Sequence, residues 1–501
     1  MIATGVAVGV SALTLAGMTA IGLWATRDRT PTTESLVSAP GEVGAPVLTA
    51  SLVATNLGAW VLFSPAEAGG SYGGLPAIAG YAVGAALPLL AFVPLGVRLR
   101  RLVPHGHSLV AFVRARYGRR MASLLLVVSV VYMFVFLAAE VTGAAAALEF
   151  VAGVPPWVTA GLLCAAVVAY VGYGGLVASI VTDTVQVLVI LPVLVMGLAG
   201  TVLVLGGTDA IYADVVRNHG SLLDWSLDGL RFGLAVALAV LAANATNQGF
   251  WERVYAASDE ETLRRSFVVA GLASVPVVFL AGLFGVQAVG LELVATGRAN
   301  VALFSLVRAA FAPWLLVVVV AVTVLLVSST VDSLLVGLTD LLRTDSSWFG
   351  SEAVLVEERL VAAAVAVAAT AVGTLQLSEI ELFLAVDLLC AAVFVPVVAG
   401  LYTGRVTERA ALTGSLAGMV AGVLLDPWVR SFLRAASGPV GSLPNPGFAR
   451  AFFAAFLVAA TPVLASAAVG GSHVPLDDVS GRLEGEKTDS GGDGEQRGGR
   501  S

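Results

Sequence analysis

An all-α polytopic membrane protein of about thirteen transmembrane helices is the fold class this chain predicts. Three observations predict it. The chain is 58% hydrophobic and 12% charged, whereas a soluble domain carries roughly 25% charged residues. Its mean hydropathy is +0.92. Apolar stretches of the roughly 20 residues that cross a bilayer recur along nearly its whole length. They lie near 2–26, 45–66, 73–98, 121–147, 153–172, 180–206, 230–251, 266–291, 312–342, 358–377, 380–403, 410–428 and 449–470.

The first stretch lacks a basic flank before it and a small-residue cleavage site after it, and Arg27 and Arg29 follow the apolar run. An uncleaved helix with its N-terminus outside is therefore favoured over a signal peptide. Threading the remaining spans from that start places Arg98, Arg100, Arg101, Arg114, Arg116, Arg119, Arg120, Arg253, Arg264, Arg265, Arg343, Arg405 and Arg409 on the cytoplasmic side. Arginines on the other side are fewer, chiefly Arg217, Arg298, Arg308, Arg430 and Arg434. That bias satisfies the positive-inside rule.

The second stretch, SLVATNLGAWVLFSPAEAGGSYGG, is broken by Asn56 and Gly58 and punctuated by Pro65, Gly69 and Gly70. A discontinuous helix exposes backbone groups at mid-membrane, where transporters bind ions and solutes; the plainer alternative is a helix that tolerates one Asn. His105 and His107, in the connection between the third and fourth stretches, lack a third ligand nearby and read as surface residues rather than a metal site. The fourth span carries Glu140, either a buried, hydrogen-bonded acid or a receptor for a cationic group. The seventh contains Asn244, Thr246, Asn247 and Gln248, too polar for a lipid-facing surface. The two breaks lie five spans apart, as two five-helix repeats would place them. Cys164 and Cys390 fall within spans and read as small apolar fillers.

The ninth span is interrupted by Ser328-Ser329-Thr330-Val331-Asp332. Ionisable groups inside spans are costly and mark ion or substrate pathways. Ser328 and Asp332 are four apart and share a helix face. Their hard oxygen donors suit an alkali cation, which points to ion-coupled transport. Beyond Asp477 the chain turns acidic and Gly-rich and reads as disordered. No Walker loop, zinc motif or nucleophile elbow is present, so an enzyme is not expected. A repeated pore filter, as a channel would need, is missing as well.

Residues 170–186, YVGYGGLVASIVTDTVQ, together with TNQGFWERVYAA at 246–257, VSSTVDSLL at 327–335 and PVVAGLYTGRVTERAALTG at 396–414, resemble the motifs of the sodium:solute symporter family in order. The resemblance covers about residues 1–470. It implies the LeuT-like fold of inverted five-helix repeats with broken first helices. The expected divisions are a first peripheral helix and cytoplasmic loop at 1–44, and a transport core at 45–403 with repeats near 45–206 and 230–403. Peripheral helices at 404–470 and a cytoplasmic tail at 471–501 complete the chain. It implies Na+ as coupling ion, held by the carbonyls of Ala54, Leu57 and Leu325 and the hydroxyls of Ser328 and Ser329. The alternative for Ser328 is a back-bond to a helix carbonyl. Asp183, Asp332 and Thr182 are expected to form a second cation site or the sodium exit, Asp332 being otherwise a hydrated vestibule group.

The solute is expected beside the broken helices, lined by Asn56, Gly58, Trp60, Glu67, Glu140, Asn244 and Trp251. The hexose-carrying branch bears amides and a tyrosine where this chain has Val61, Val240 and Ala243, which disfavours a sugar. The expectation is symport of a small polar solute across the plasma membrane, leaning to an amino acid such as proline. Urea or a polyamine-type solute, or coupling to protons, is the alternative. The implied partners are the solute, sodium ions and membrane lipid, with no nucleic acid and no obligate protein partner.

Overall fold

The computed structural model describes residues 2–26, 43–104, 108–171, 192–344, 354–427, 429–431 and 447–469, with 475–476, 478–479 and 481. These form a helical bundle whose only strand-like feature among the described residues is an isolated bridge between Val43 and Ala257. The helices are α1 (Thr4–Thr26), α2 (Ala45–Asn56), α3 (Ser64–Glu67), α4 (Gly74–Leu102), α5 (Leu109–Tyr117), α6 (Arg119–Ala152) and α7 (Pro156–Val171). They continue as α8 (Pro192–Val204), α9 (Gly207–His219), α10 (Leu227–Thr246), α11 (Gln248–Ala256) and α12 (Glu260–Gly290). The last are α13 (Ala302–Ala310), α14 (Pro313–Thr344), α15 (Val354–Gly373), α16 (Glu379–Tyr402), α17 (Glu408–Leu425) and α18 (Gly447–Val469).

Among the described residues, eight helices are long and apolar enough to cross a membrane, and a bent pair, Pro192–Val204 with Gly207–Leu222 at 83°, allows a ninth. Shorter apolar helices lie at Thr4–Ala20, Pro156–Ala166 and Ala363–Gly373. The chain is a multi-pass membrane protein, and the described residues do not fix the count of thirteen.

Helix ends are set by local chemistry. Ser108, Ser226, Asp259, Ser378 and Thr407 each accept an amide N–H of the first turn of the helix they precede. Such caps satisfy donors that no helical carbonyl can reach. Between helices, small residues allow close approach, since lipid provides no hydrophobic drive for association. At the α4–α10 crossing a Cβ on Gly80 would lie 2.2 Å from the Cα of Gly233, so the backbones meet with no room for a side chain.

Both expected breaks are present. α2 ends at Asn56, and Leu57 (φ −106°, ψ 54°) and Gly58 (φ −59°, ψ −175°) leave helical geometry. The chain then resumes through a 3-10 turn at Ala59–Leu62, α3, and a π turn at Ala68–Gly73. α10 ends at Thr246, and Asn247 (φ −80°, ψ 111°) separates it from α11. The half-helices pair at both ends of the bundle. Val43 and α11 exchange backbone bonds, from Val43 N–H to Ala256 O at 3.0 Å and from Ser258 N–H to Val43 O at 3.1 Å. Arg253 Nε donates to Ser51 Oγ at 2.9 Å, tying α11 to α2. On the other side, Tyr72 stacks on Phe232 of α10 with centroids 4.8 Å apart.

Candidate solute and cation site

Unwinding frees backbone groups that must find partners in a dry interior. At the first break, Ala59 N–H donates to Thr330 Oγ1 at 3.2 Å, and Trp60 N–H donates to Glu140 Oε1 at 3.1 Å. Gly58 packs so tightly on α14 that a Cβ there would lie 2.8 Å from Thr330 Oγ1. At the second break, Asn247 Oδ1 accepts Gly249 N–H at 3.0 Å, and Trp251 Nε1 donates to Ala245 O at 2.9 Å.

Between the breaks lies a cavity of about 50 Å³, room for a few water molecules or a compact solute. Its walls are Thr55, Asn56, Trp60, Tyr81, Tyr132, Phe136, Val240, Ala243, Asn244, Asn247, Phe383 and Asp387. Trp60 stacks on Tyr81 at 5.3 Å, with ring planes 11° apart. Asp387, on α16, is 3% exposed, and its Oδ1 has no hydrogen-bond partner. A buried unpaired carboxylate oxygen is costly and is the natural seat for a donor brought in by a ligand. Sequence reasoning missed it. The signal was nonetheless present, as an aspartate inside the apolar run 380–403.

A second cavity of about 20 Å³ adjoins the first break, lined by Ala54, Thr55, Ser329, Thr330 and Ser333 with Phe136, Asn247, Gly249 and Leu334. Thr55, Phe136 and Asn247 line both spaces. Hydroxyls and a helix-end backbone are hard oxygen donors of the kind a small alkali ion takes.

The structure distributes the expected residues unevenly. Ala54 and Ser329 meet in the smaller cavity. Leu57 is buried at the break, while Ser328 Oγ donates to Leu325 O at 2.8 Å, the helix back-bond weighed above. Thr182 and Asp183 lie outside the described residues, as do His105, His107, most of the 170–186 motif and nearly all of the tail. Asp332 stands on α14 one turn beyond Ser328, its side chain outside the description.

Of the expected solute contacts, Asn56, Trp60 and Asn244 line the larger cavity. Asn56 Nδ2 donates to Ala85 O at 3.1 Å and Ser274 Oγ at 2.8 Å, so only its carbonyl oxygen remains for a ligand. Asn244 Nδ2 donates to Val240 O at 3.0 Å. Gly58, Glu67, Glu140 and Trp251 do not line it. Glu140 and Trp251 are held by freed backbone groups, and Trp251 also packs edge-on to Phe92. Glu67 accepts Ser378 Oγ–H at 2.8 Å and Ile380 N–H at 3.3 Å, joining α3 to the start of α16.

With this geometry in hand, residues 37–418 match the model of the sodium:solute symporter family. The chain belongs to that family. It is 25% identical over 327 residues to the "Spermidine transporter DUR31" of Candida albicans, covering 64% of this chain and 61% of that protein. It is 26% identical over 228 residues to the "Probable urea active transporter 1" of Schizosaccharomyces pombe, covering 42% of this chain and 34% of that one. The chain thus spans less than two thirds of the length of either relative. Among solved structures, a Na+-coupled sialic acid symporter superposes with a TM-score of 0.71 at 17% identity, over 94% of this chain and 99% of that one. The nucleobase-cation-symport-1 transporter MHP1 superposes at 0.53 and 12%, over 90% and 99%. At these identities the likeness establishes the LeuT-like fold. The relatives match the urea or polyamine alternative and give the lean to proline no support.

Proposed function

We propose that this symporter imports a compact, donor-rich solute, a protonated amine of the polyamine class, driven by sodium. The observation that carries this reading is Asp387, whose buried Oδ1 lacks a partner in an aromatic-walled cavity. Aromatic faces and a carboxylate together attract an ammonium group. The neighbouring Asn56 offers only an acceptor, which suits the same chemistry.

An amino acid fits less well. In carriers of this architecture, half-helix N-termini receive the substrate carboxylate. Here the Ala59 and Trp60 amides are already taken by Thr330 and by Glu140, the protein's own carboxylate. Urea is the second reading. The small cavity of about 50 Å³ favours it, and four N–H donors suit an acceptor-rich wall.

Sodium would occupy the space between Ala54 and Ser329 and draw the first broken helix against α14, completing the solute cavity; the bundle would then rock. Leu57, Leu325 and Ser328 would join as ligands after a local shift. Asp183, Asp332 and Thr182 would form a second cation site or the exit. In this reading the N-terminus lies outside and the C-terminus in the cytoplasm of a plasma membrane, with the transport core at 45–403.

Uptake into proteoliposomes under an imposed sodium gradient, with labelled putrescine, spermidine, urea and proline in parallel, tests the reading. Sodium-dependent uptake of an amine is expected. Uptake of proline alone, or amine uptake driven equally by a proton gradient without sodium, would overturn it.

A further inference from the structure

The segment after the first break, a 3-10 turn followed by α3, makes three polar contacts outward, through the Trp60 backbone N–H, the Ser64 hydroxyl and the Glu67 carboxylate. Trp60 N–H meets Glu140 Oε1 at 3.1 Å, and Ser64 Oγ donates to Glu379 Oε2 at 3.3 Å. Glu67 bridges to Ser378 and Ile380 one turn further on. These contacts therefore reach two helices, α6 and α16, each presenting a glutamate.

Both glutamates are only 1% exposed. Each has one oxygen bonded to the half-helix and the other, Glu140 Oε2 and Glu379 Oε1, without any partner. Glu379 Oε1 packs directly on the backbone at Gly143, one turn from Glu140 on α6. Glu67 is bonded to Ser378 and Ile380, the residues on either side of Glu379. The other titratable groups facing this region are Glu381 and Asp387 of α16, Tyr81 of α4, and Tyr72 of the π turn, which donates to Glu381 Oε1 at 3.1 Å. No described arginine compensates them: Arg298 on the neighbouring 3-10 segment is exposed, and Arg308 of α13 lies over the Phe150 ring.

Two ionised carboxylates cannot share a dry site without a counter-charge. An isolated buried carboxylate neutralises instead of staying charged. We infer that the Glu140–Glu379 pair is a proton-binding site, filled from the external solution, that locks the outer half of the first broken helix against α6 and α16. The unpartnered oxygens carry the protons while the half-helix is docked. When it swings out, water reaches both carboxyls, they ionise, and the protons return to the outside. The side of the membrane follows the orientation proposed above; the solute does not enter.

Closing then takes up protons, so alkaline external solution favours the outward-open form. The opening equilibrium shifts by up to about tenfold per pH unit for each proton released.

The test needs neither solute nor sodium, so it fails or succeeds independently of the transport reading. Ala299 is fully buried and packs against Gly70 of the same half-helix. In full-length protein with Cys164 and Cys390 replaced by Ala, Ala299→Cys is labelled with a membrane-impermeant maleimide across the neutral pH range. Rates are corrected for thiolate fraction with a small-thiol standard. Labelling is expected to accelerate as external pH rises. Glu140→Gln with Glu379→Gln, which keeps both acceptors but cannot ionise, should abolish that slope. Should the double variant misfold, Glu379→Gln alone should reduce the slope. A pH-independent wild-type rate, or an unchanged slope in the Gln variants, would overturn the inference.

Discussion

The carboxylate of Glu140 accepts the backbone N–H of Trp60 at 3.1 Å, across 80 residues of sequence. An acid on α6 therefore satisfies an amide that the break leaves without a helical carbonyl. Removing it should be felt in folding before it is felt in solute recognition. Glu140→Ala strands a buried amide, at a cost of about 1–3 kcal/mol, and thermal unfolding in detergent should show a lowered midpoint. Glu140→Gln retains an acceptor and should lose clearly less.

Asp387 carries the amine assignment. Asp387→Asn keeps the volume and removes the charge. A charge-assisted hydrogen bond is worth about 1.5–3 kcal/mol, so KM for putrescine should rise by about tenfold or more while urea uptake changes little. Equal losses for both solutes would assign Asp387 to folding.

Gly58 and Thr330 define how closely the break approaches α14. A methyl group at 58 would lie 2.8 Å from Thr330 Oγ1. Gly58→Ala should destabilise by about 1–3 kcal/mol through overpacking and slow transport. Thr330→Ser, which removes the Cγ2 methyl 3.2 Å from the same position and leaves the hydroxyl that accepts Ala59 N–H, should recover only a small part of the loss.

Ser329 lines the smaller cavity with Ala54. Ser329→Ala removes one oxygen from the proposed sodium shell, and the sodium concentration for half-maximal uptake should rise about tenfold, equivalent to about 1.4 kcal/mol. An unchanged sodium dependence would move the ion elsewhere. For the second site, Asp332→Ala should lower the sodium-to-solute ratio measured from reversal of uptake.

Asp259 caps α12, and the bond it accepts from Thr262 N–H at 2.7 Å holds its carboxyl below the usual carboxylate range. Its folded value is depressed, so its stabilisation is present above the ordinary value of about 3.9 and fades as pH falls through the lower folded value. Asp259→Ala should lower the unfolding midpoint at neutral pH, and the gap from wild type should close in strong acid.

The sequence by itself determined that this is a helical membrane protein of the symporter family with two broken helices and a hydroxyl cluster on α14. Those properties reside in local signals: apolar runs, Asn56-Leu57-Gly58, Asn247, and Ser328-Ser329, each legible within a few residues. Only the tertiary structure decided what the intramembrane carboxylates do. Glu140, the sharpest sequence candidate to receive a cationic group, and Glu67, expected beside it, are both held by the scaffold, one by Trp60 and the other by Ser378 and Ile380. Asp387, passed over in the chain, faces the cavity instead. The reason is geometric. A carboxylate in an apolar span must find a partner, but which partner depends on helices that meet across separations of 80 to 313 residues, and no local pattern records that meeting.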